Sequence, residues 1–254
     1  LAAQVMQAGV PGPSAGGEQP KFLTHLRTTR GGDEQVRAML VKFSQPLDTS
    51  VGRRWADLLT AEAHALGVLA EANEGPAGSR TLEARGRRFL EVPRFDRVGA
   101  HGRRGVVSLE ALHAGCVSEV ASNWTQAAEQ LAALGLITSD TLATVRRREV
   151  FGELIGNSDT HFGNLGFWFD DTVPFRLAPA YDMLPMLWAP VAGGEIVPRT
   201  FAPLPPTPAQ TAWRQMLNYH LNSQLSPKNP VPMWRDCANI LPVINFPSFH
   251  RSYP

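Results

Sequence analysis

The segment Asn157-Ser158-Asp159-Thr160-His161-Phe162-Gly163-Asn164 sets a carboxylate and a carboxamide five residues apart in a polar stretch. Such a pair suits phosphoryl transfer. A carboxylate orients an attacking hydroxyl and takes its proton, and an amide oxygen nearby helps hold Mg²⁺. Taken alone, the segment reads as a polar surface loop with an Asx turn. Leu177-Ala178-Pro179-Ala180-Tyr181-Asp182 then brings in a second carboxylate suited to Mg²⁺ against nucleotide phosphates, although Asp182 alone is an ordinary strand-end turn. Lys42 and Glu62 add a third signal. Lys42 shares a strand face with Ala38 and Leu40, where an unpaired ammonium is costly, or else it snorkels to water. Glu62 lies in an apolar helical stripe and needs a cation there. Lastly, Ser14-Ala15-Gly16-Gly17-Glu18-Gln19-Pro20-Lys21 offers adjacent glycines whose N–H groups can approach phosphate, with Lys21 adding charge. By itself it is a flexible turn.

These groups need elements to carry them. Phe22–Leu26 and Ala38–Phe43 alternate as strands around the Gly31-Gly32-Asp33 turn and suggest a hairpin. Trp55 to Ala72 is predicted helical, with Trp55, Leu58, Leu59, Ala65, Leu66 and Leu69 as its apolar stripe. Phe89 to Phe95 is a further strand. Val117–Leu136 and Ser139–Ile155 are predicted helices, with Ser139-Asp140 as the N-cap of the second and Gly156 as its terminator. Leu165–Phe169 and Phe175–Leu177 read as strands around Asp170-Asp171. Thr207-Pro208-Ala209-Gln210 reads as a helix start, and the chain beyond Leu221 loses periodicity. The order of elements predicts an α+β, bilobal, protein-kinase-like fold with a sheet-rich N-terminal lobe (1–97) and a helical C-terminal lobe (98–254).

Composition sets outer limits. The 254 residues suffice for one to two domains at ~150 residues each. A net charge of +1 argues against a whole-chain nucleic-acid binder, and the arginine clusters 85–88, 103–104 and 146–148 read as solvated faces. Cys116 and Cys237 are too few for a disulfide framework, so a cytoplasmic setting is expected. No run approaches the ~18 apolar residues of a membrane span. The opening residues carry no secretory pattern and no initiator Met, so the natural N-terminus is expected to lie upstream.

Glycine-rich loop, strand lysine, helix glutamate, D-x-x-x-x-N and strand-borne aspartate follow one another in the order of a kinase-like phosphotransferase; the Asp–Asn spacing is that of a kinase catalytic loop. Over residues 12 to 190 the chain resembles the HipA family of serine/threonine kinases, toxins of bacterial toxin–antitoxin systems. Ser14 to Lys21, Leu40-Val41-Lys42, Arg94-Phe95-Asp96-Arg97, Asn157 to Asn164 and Ala178-Pro179-Ala180-Tyr181-Asp182 carry the resemblance. It implies that Asp159 is the catalytic base, that Asn164 and Asp182 hold Mg²⁺, and that Lys42 contacts the ATP phosphates. It implies a hinge over Glu91–Phe95, with the Pro93 carbonyl and the Phe95 N–H reading the adenine edge and Asp96 adjoining. Gly16, Gly17 and Lys21 would cradle phosphate, Glu62 would pair with Lys42, and Ser14 would be autophosphorylated. His161 is expected to hold structure by hydrogen bonding. The resemblance further implies a protein substrate such as a translation component, a helix-turn-helix antitoxin as partner, and indirect contact with DNA.

Three other readings compete. One is a nucleotide-binding module that acts through an antitoxin or DNA-bound partner without transferring phosphate. Another is a serine hydrolase, from Gly12-Pro13-Ser14-Ala15-Gly16 with Asp182 and His220 downstream; Val10-Pro11 before it and Pro20 after it do not fit the strand–turn–helix that motif requires. The third is direct nucleic-acid binding through the arginine clusters.

Overall fold

The computed structural model describes residues 19–30, 33–99, 101–191 and 193–201. Ser14, Gly16, Gly17, His220 and the predicted helix start at 207 lie outside the described residues.

An antiparallel sheet of order β1-β2-β4-β3 comprises β1 (Lys21–Arg30), β2 (Asp33–Phe43), β3 (Arg80–Ala84) and β4 (Arg87–Pro93). The predicted hairpin is present, and both of its strands run further toward the turn than the apolar alternation indicated. Backbone pairing continues there without a core face to leave a pattern. β4 pairs with only the last part of β2, from Met39↔Pro93 to Phe43↔Phe89. This register sets Lys42 opposite Leu90 and Leu40 opposite Val92, on one face of the sheet.

Helix α1 (Ser50–Glu71) starts earlier than predicted. The Thr49 hydroxyl accepts from the Gly52 N–H at 2.9 Å and caps it. Gly52 is required there, since a Cβ would sit 1.8 Å from the Pro46 carbonyl oxygen. Leu58, Leu59, Ala65 and Leu66 of α1 are fully buried and join Leu90 and Val92 in the core. Short pairs follow, β5 (Arg97–Val98) with β6 (Gly102–Arg103), and β7 (Val106–Ser108) with β8 (Gly166–Trp168).

The helical part contains α2 (Leu109–Cys116), α3 (Trp124–Ala133) and α4 (Ser139–Leu154). The single helix predicted over Val117–Leu136 is corrected to α3 alone. Val117 is extended and closes α2, and Asn123 caps α3 through its side chain. The Ser-Asn pair before Trp124 favours a cap over helix interior. For α4 the cap is Thr138, whose hydroxyl accepts from the Thr141 N–H, rather than Ser139-Asp140. Gly156 ends this turn at φ 70° as expected. The strand predicted at Phe175–Leu177 reduces to one bridge, Phe167↔Leu177. Among the described residues no helix is long and apolar enough to cross a membrane.

Candidate active site

β2 supplies Lys42 and α1 supplies Glu62, and both are almost fully withdrawn from water, at 3% and 1% exposure. Two such groups are tolerated inside only when paired. The Lys42 Nζ donates to both Glu62 carboxylate oxygens, at 2.6 and 2.9 Å, and to Asp182 Oδ1 at 2.5 Å. Burial alone lowers the basicity of Lys42, but Asp182 and Glu62 overcome it and hold the ammonium charged well above the ordinary lysine range. For Glu62 burial dominates, and its carboxyl rises despite Lys42. Asp182 keeps more contact with solvent, and there Lys42 overrides burial and draws the carboxyl down. Its backbone φ of 52° is left-handed, a conformation Asp adopts more readily than most residues, and it turns the chain at this point. Lys21 lies across from Lys42 in the β1–β2 register, and its charge also favours ionised Asp182 and Glu62.

The loop after α4 is built on backbone. The Asn157 side-chain oxygen accepts from the Asp159 N–H at 3.0 Å, and the Asn164 Nδ2 donates to the Asp159 carbonyl at 2.9 Å. Both amides are buried, while the Asp159 side chain is 44% exposed. Donation through nitrogen leaves the Asn164 amide oxygen as the atom for other partners. His161 Nδ1 accepts from the Gly163 N–H at 3.1 Å, and the Trp124 indole donates to the His161 carbonyl at 3.2 Å. At 3.7 Å from Asp159 Oδ1, the His161 Nε2 is outside hydrogen-bond reach. The Tyr181 hydroxyl donates to the Gly163 carbonyl at 2.8 Å and ties this loop to the Asp182 segment. Burial and the Asp182 charge push the Tyr181 phenol up, so it stays protonated to donate.

A cavity of about 230 Å³ adjoins these groups, lined by Leu40, Val92, Pro93, Arg94, Phe95 and Asp96 together with Tyr181 and Asp182. Its corner is braced. Arg94 Nε and Nη2 donate to the two Asp96 oxygens, and Arg97 Nη1 donates to Asp96 Oδ2 at 2.7 Å. Burial would raise the Asp96 carboxyl, but the Arg94 donors and both guanidinium charges hold it below the usual range. The Arg94 N–H donates to the Ala38 carbonyl at 2.9 Å and extends the β2–β4 pairing past Pro93.

Pro93, Phe95, Asp96 and Asp182 therefore line one cleft, Lys42 and Glu62 join it through Asp182, Lys21 stands beside Lys42 in the sheet, and Asp159 and Asn164 share a loop bonded to the cleft through Tyr181. One residue escaped the sequence reading. Arg148 belongs to a cluster expected to be solvated, yet it is 3% exposed, which corrects that reading for this member. The signal was present. Val145, Arg148, Phe151 and Gly152 fall at helical spacing and are all buried, the same pattern that singled out Glu62.

The model of the HipA-like C-terminal domain family matches residues 13–224. The chain is 43% identical over 195 residues to Toxin YjjJ of Escherichia coli K12, an alignment that takes in 76% of this chain and 43% of the toxin, so the chain spans less than half of that relative's length. Among solved structures it is similar to the HipA of Shewanella oneidensis MR-1, determined with HipB and its operator DNA. That likeness has a TM-score of 0.51 at 17% identity and covers 94% of this chain and 61% of that one. A weaker likeness, to the Helicobacter pylori proinflammatory kinase CtkA, has a TM-score of 0.44 at 16% identity over 63% of this chain and 55% of that one.

Proposed function

The chain belongs to the HipA-like C-terminal domain family, and from that premise we propose that it is an ATP-dependent serine/threonine protein kinase domain of the HipA toxin type. The observation that supports the reading is Lys42 gripped by Glu62 and by Asp182, the last of which lines the cavity walled by Pro93 to Asp96.

The adenine ring would enter this cavity between Leu40 and Val92 on one side and Tyr181 on the other. The Pro93 carbonyl and the Phe95 N–H would meet its edge, with Asp96 keeping the corner rigid. Lys42 would meet the phosphates, oriented by Glu62. Lys21, with Gly16 and Gly17, would cover them. The donor set fits Mg²⁺: one carboxylate at Asp182 and one amide oxygen at Asn164, with phosphate and water completing an all-oxygen shell. Among the described residues no group of three His, Cys, Asp or Glu is placed to hold a metal. When bound, the ion supplies charge neutralisation on the phosphates.

Asp159, fixed through both of its backbone polar groups, accepts the proton of a substrate Ser or Thr hydroxyl. That oxygen forms the bond to the γ-phosphorus, the bond from phosphorus to the β–γ bridging oxygen breaks, and ADP leaves with the electron pair. Phosphate on Ser14 would add roughly −1.5 to −2 charge beside the nucleotide loop and weaken ATP binding. A helix-turn-helix antitoxin, indirect contact with DNA, a translation component as substrate and a cytoplasmic setting complete the reading.

The test is incubation with radiolabelled Mg-ATP, followed by mass spectrometry directed first at Ser14. Incorporation that disappears in Asp159→Ala supports the kinase. Tight ATP binding without transfer in the unmodified chain supports the non-catalytic module in its place.

A further inference from the structure

Glu62 and Asp182 reach Lys42 from separate elements, α1 and the segment after β8, and something must fix their separation. The described residues include a device for this. Glu74, just past the end of α1, has its carbonyl occupied twice, by the Ala180 N–H at 2.7 Å and by Arg148 Nη2 at 2.9 Å. The other fork of the same guanidinium, Nη1, donates to the Ala178 carbonyl at 2.7 Å. The Nε lies 3.5 Å from Glu74 Oε2, so the cation is countered where it is buried. Burial, partly offset by Glu74, lowers its pKa to about 10, which leaves it charged at neutral pH. One side chain of α4 thus clasps the backbone at the foot of the helix bearing Glu62 and the backbone leading into Asp182.

We propose that Arg148 is a positioning residue: by joining the Glu74 and Ala178 carbonyls it holds α1 and the Asp182 segment at the separation at which both carboxylates meet Lys42. The role calls for arginine. A planar fork serves two carbonyls at once, whereas the single ammonium of lysine is a point donor on a flexible stem. The inference rests on the kinase reading only for its consequence in nucleotide binding; the geometry stands without it.

The experiment compares the unmodified chain with Arg148→Lys, which keeps the buried positive charge opposite Glu74. Without nucleotide, amide hydrogen exchange is followed at Ala180 and, as reference, at Leu58 and Leu59 within α1. Arg148→Lys is expected to speed exchange at Ala180 about tenfold or more and to leave the α1 amides unchanged. Equal acceleration at all three overturns the proposal, because Arg148 then supports the fold at large. Should that variant not fold, Arg148→Gln, whose amide can serve one of the two carbonyls but not both, is read by the same two outcomes.

Calorimetry supplies the second reading. Adenosine needs only the cavity, whereas Mg-ATP also needs the Lys42 cluster. In Arg148→Lys the affinity for Mg-ATP should fall about tenfold, and that for adenosine should hold, since small misplacement of charged groups is costly. Parallel losses overturn the proposal. Failure of the unmodified chain to bind either ligand overturns the kinase reading alone, and the exchange data still decide the clasp.

Discussion

The two halves of the cleft handle charge in opposite ways. On the sheet side, Lys42 and Glu62 are dry, tightly paired and joined by Asp182. On the helical side, Asp159 keeps its carboxylate substantially in water, and the buried amides Asn157 and Asn164 hold only its backbone. The difference follows from the work each part is proposed to do. A cation that must stand still and meet phosphate gains from burial, because low dielectric strengthens fixed pairs and makes breaking them expensive. A base that must meet a protein hydroxyl and exchange a proton has to be reachable. Its precision comes from an anchored main chain.

This contrast can be broken most forcefully at Glu62. Glu62→Ala strands part of the Lys42 charge in a dry site and is expected to cost about 3–5 kcal/mol in urea unfolding, with transfer lost as well. A variant as stable as the parent would show that the pair is not structural. Next in size, Asp159→Asn should lower phosphoryl transfer ~10²- to 10⁴-fold. Its unfolding free energy should stay within about 0.5 kcal/mol of the parent, as befits an exposed side chain. Comparable stability losses in the two variants would erase the distinction between the halves.

Asn157→Ala sharpens the contrast from the other side. It removes the acceptor of the Asp159 N–H and should cost about 1–2 kcal/mol while lowering kcat more than it raises KM for ATP. A smaller effect depends on pH. The Asp96 carboxyl is held down by Arg94 and Arg97, so its folded pKa lies below the unfolded value of about 3.9. The unfolded state therefore binds the proton first. The stabilisation is present above ~3.9 and is lost as pH falls through the lower folded value. Melting curves of Asp96→Asn and the parent should converge in acid and separate near neutrality. The smallest effect is expected at Arg104, whose guanidinium lies 3.6 Å from the centre of the Trp168 ring. Arg104→Ala should cost about 0.5–1 kcal/mol by thermal melting and leave transfer unchanged.

How far these features could be read in advance differs along the chain. β2 and α1 were legible because the first is a short run of apolar residues, Ala38 to Phe43, broken by Lys42 alone, and the second repeats its apolar residues at three-to-four spacing from Trp55 to Leu69. Glu62 stood out as the break in that period. Strand β3 was missed because its burial is shallow and alternates little. The interval between Cys116 and Trp124 reads as helix because Val117, Val120 and Ala121 satisfy a helical count that Ser122 and Asn123 then interrupt. The arginine neighbours of Arg148 point to solvent, although its own spacing points inward.

The order and types of residues were enough to show that Lys42 and Glu62 need partners, since a lysine in a strand face and a carboxylate in an apolar stripe each require one wherever the chain takes them. Tertiary structure alone decided the partners and the distances. That Asp182 completes the Lys42 cluster, that Tyr181 ties the Asp159 loop to it, and that Arg148 clasps two backbones far apart in sequence all depend on long-range contacts. Such contacts leave no local period, because a carbonyl that receives a distant donor looks in sequence like any other peptide group.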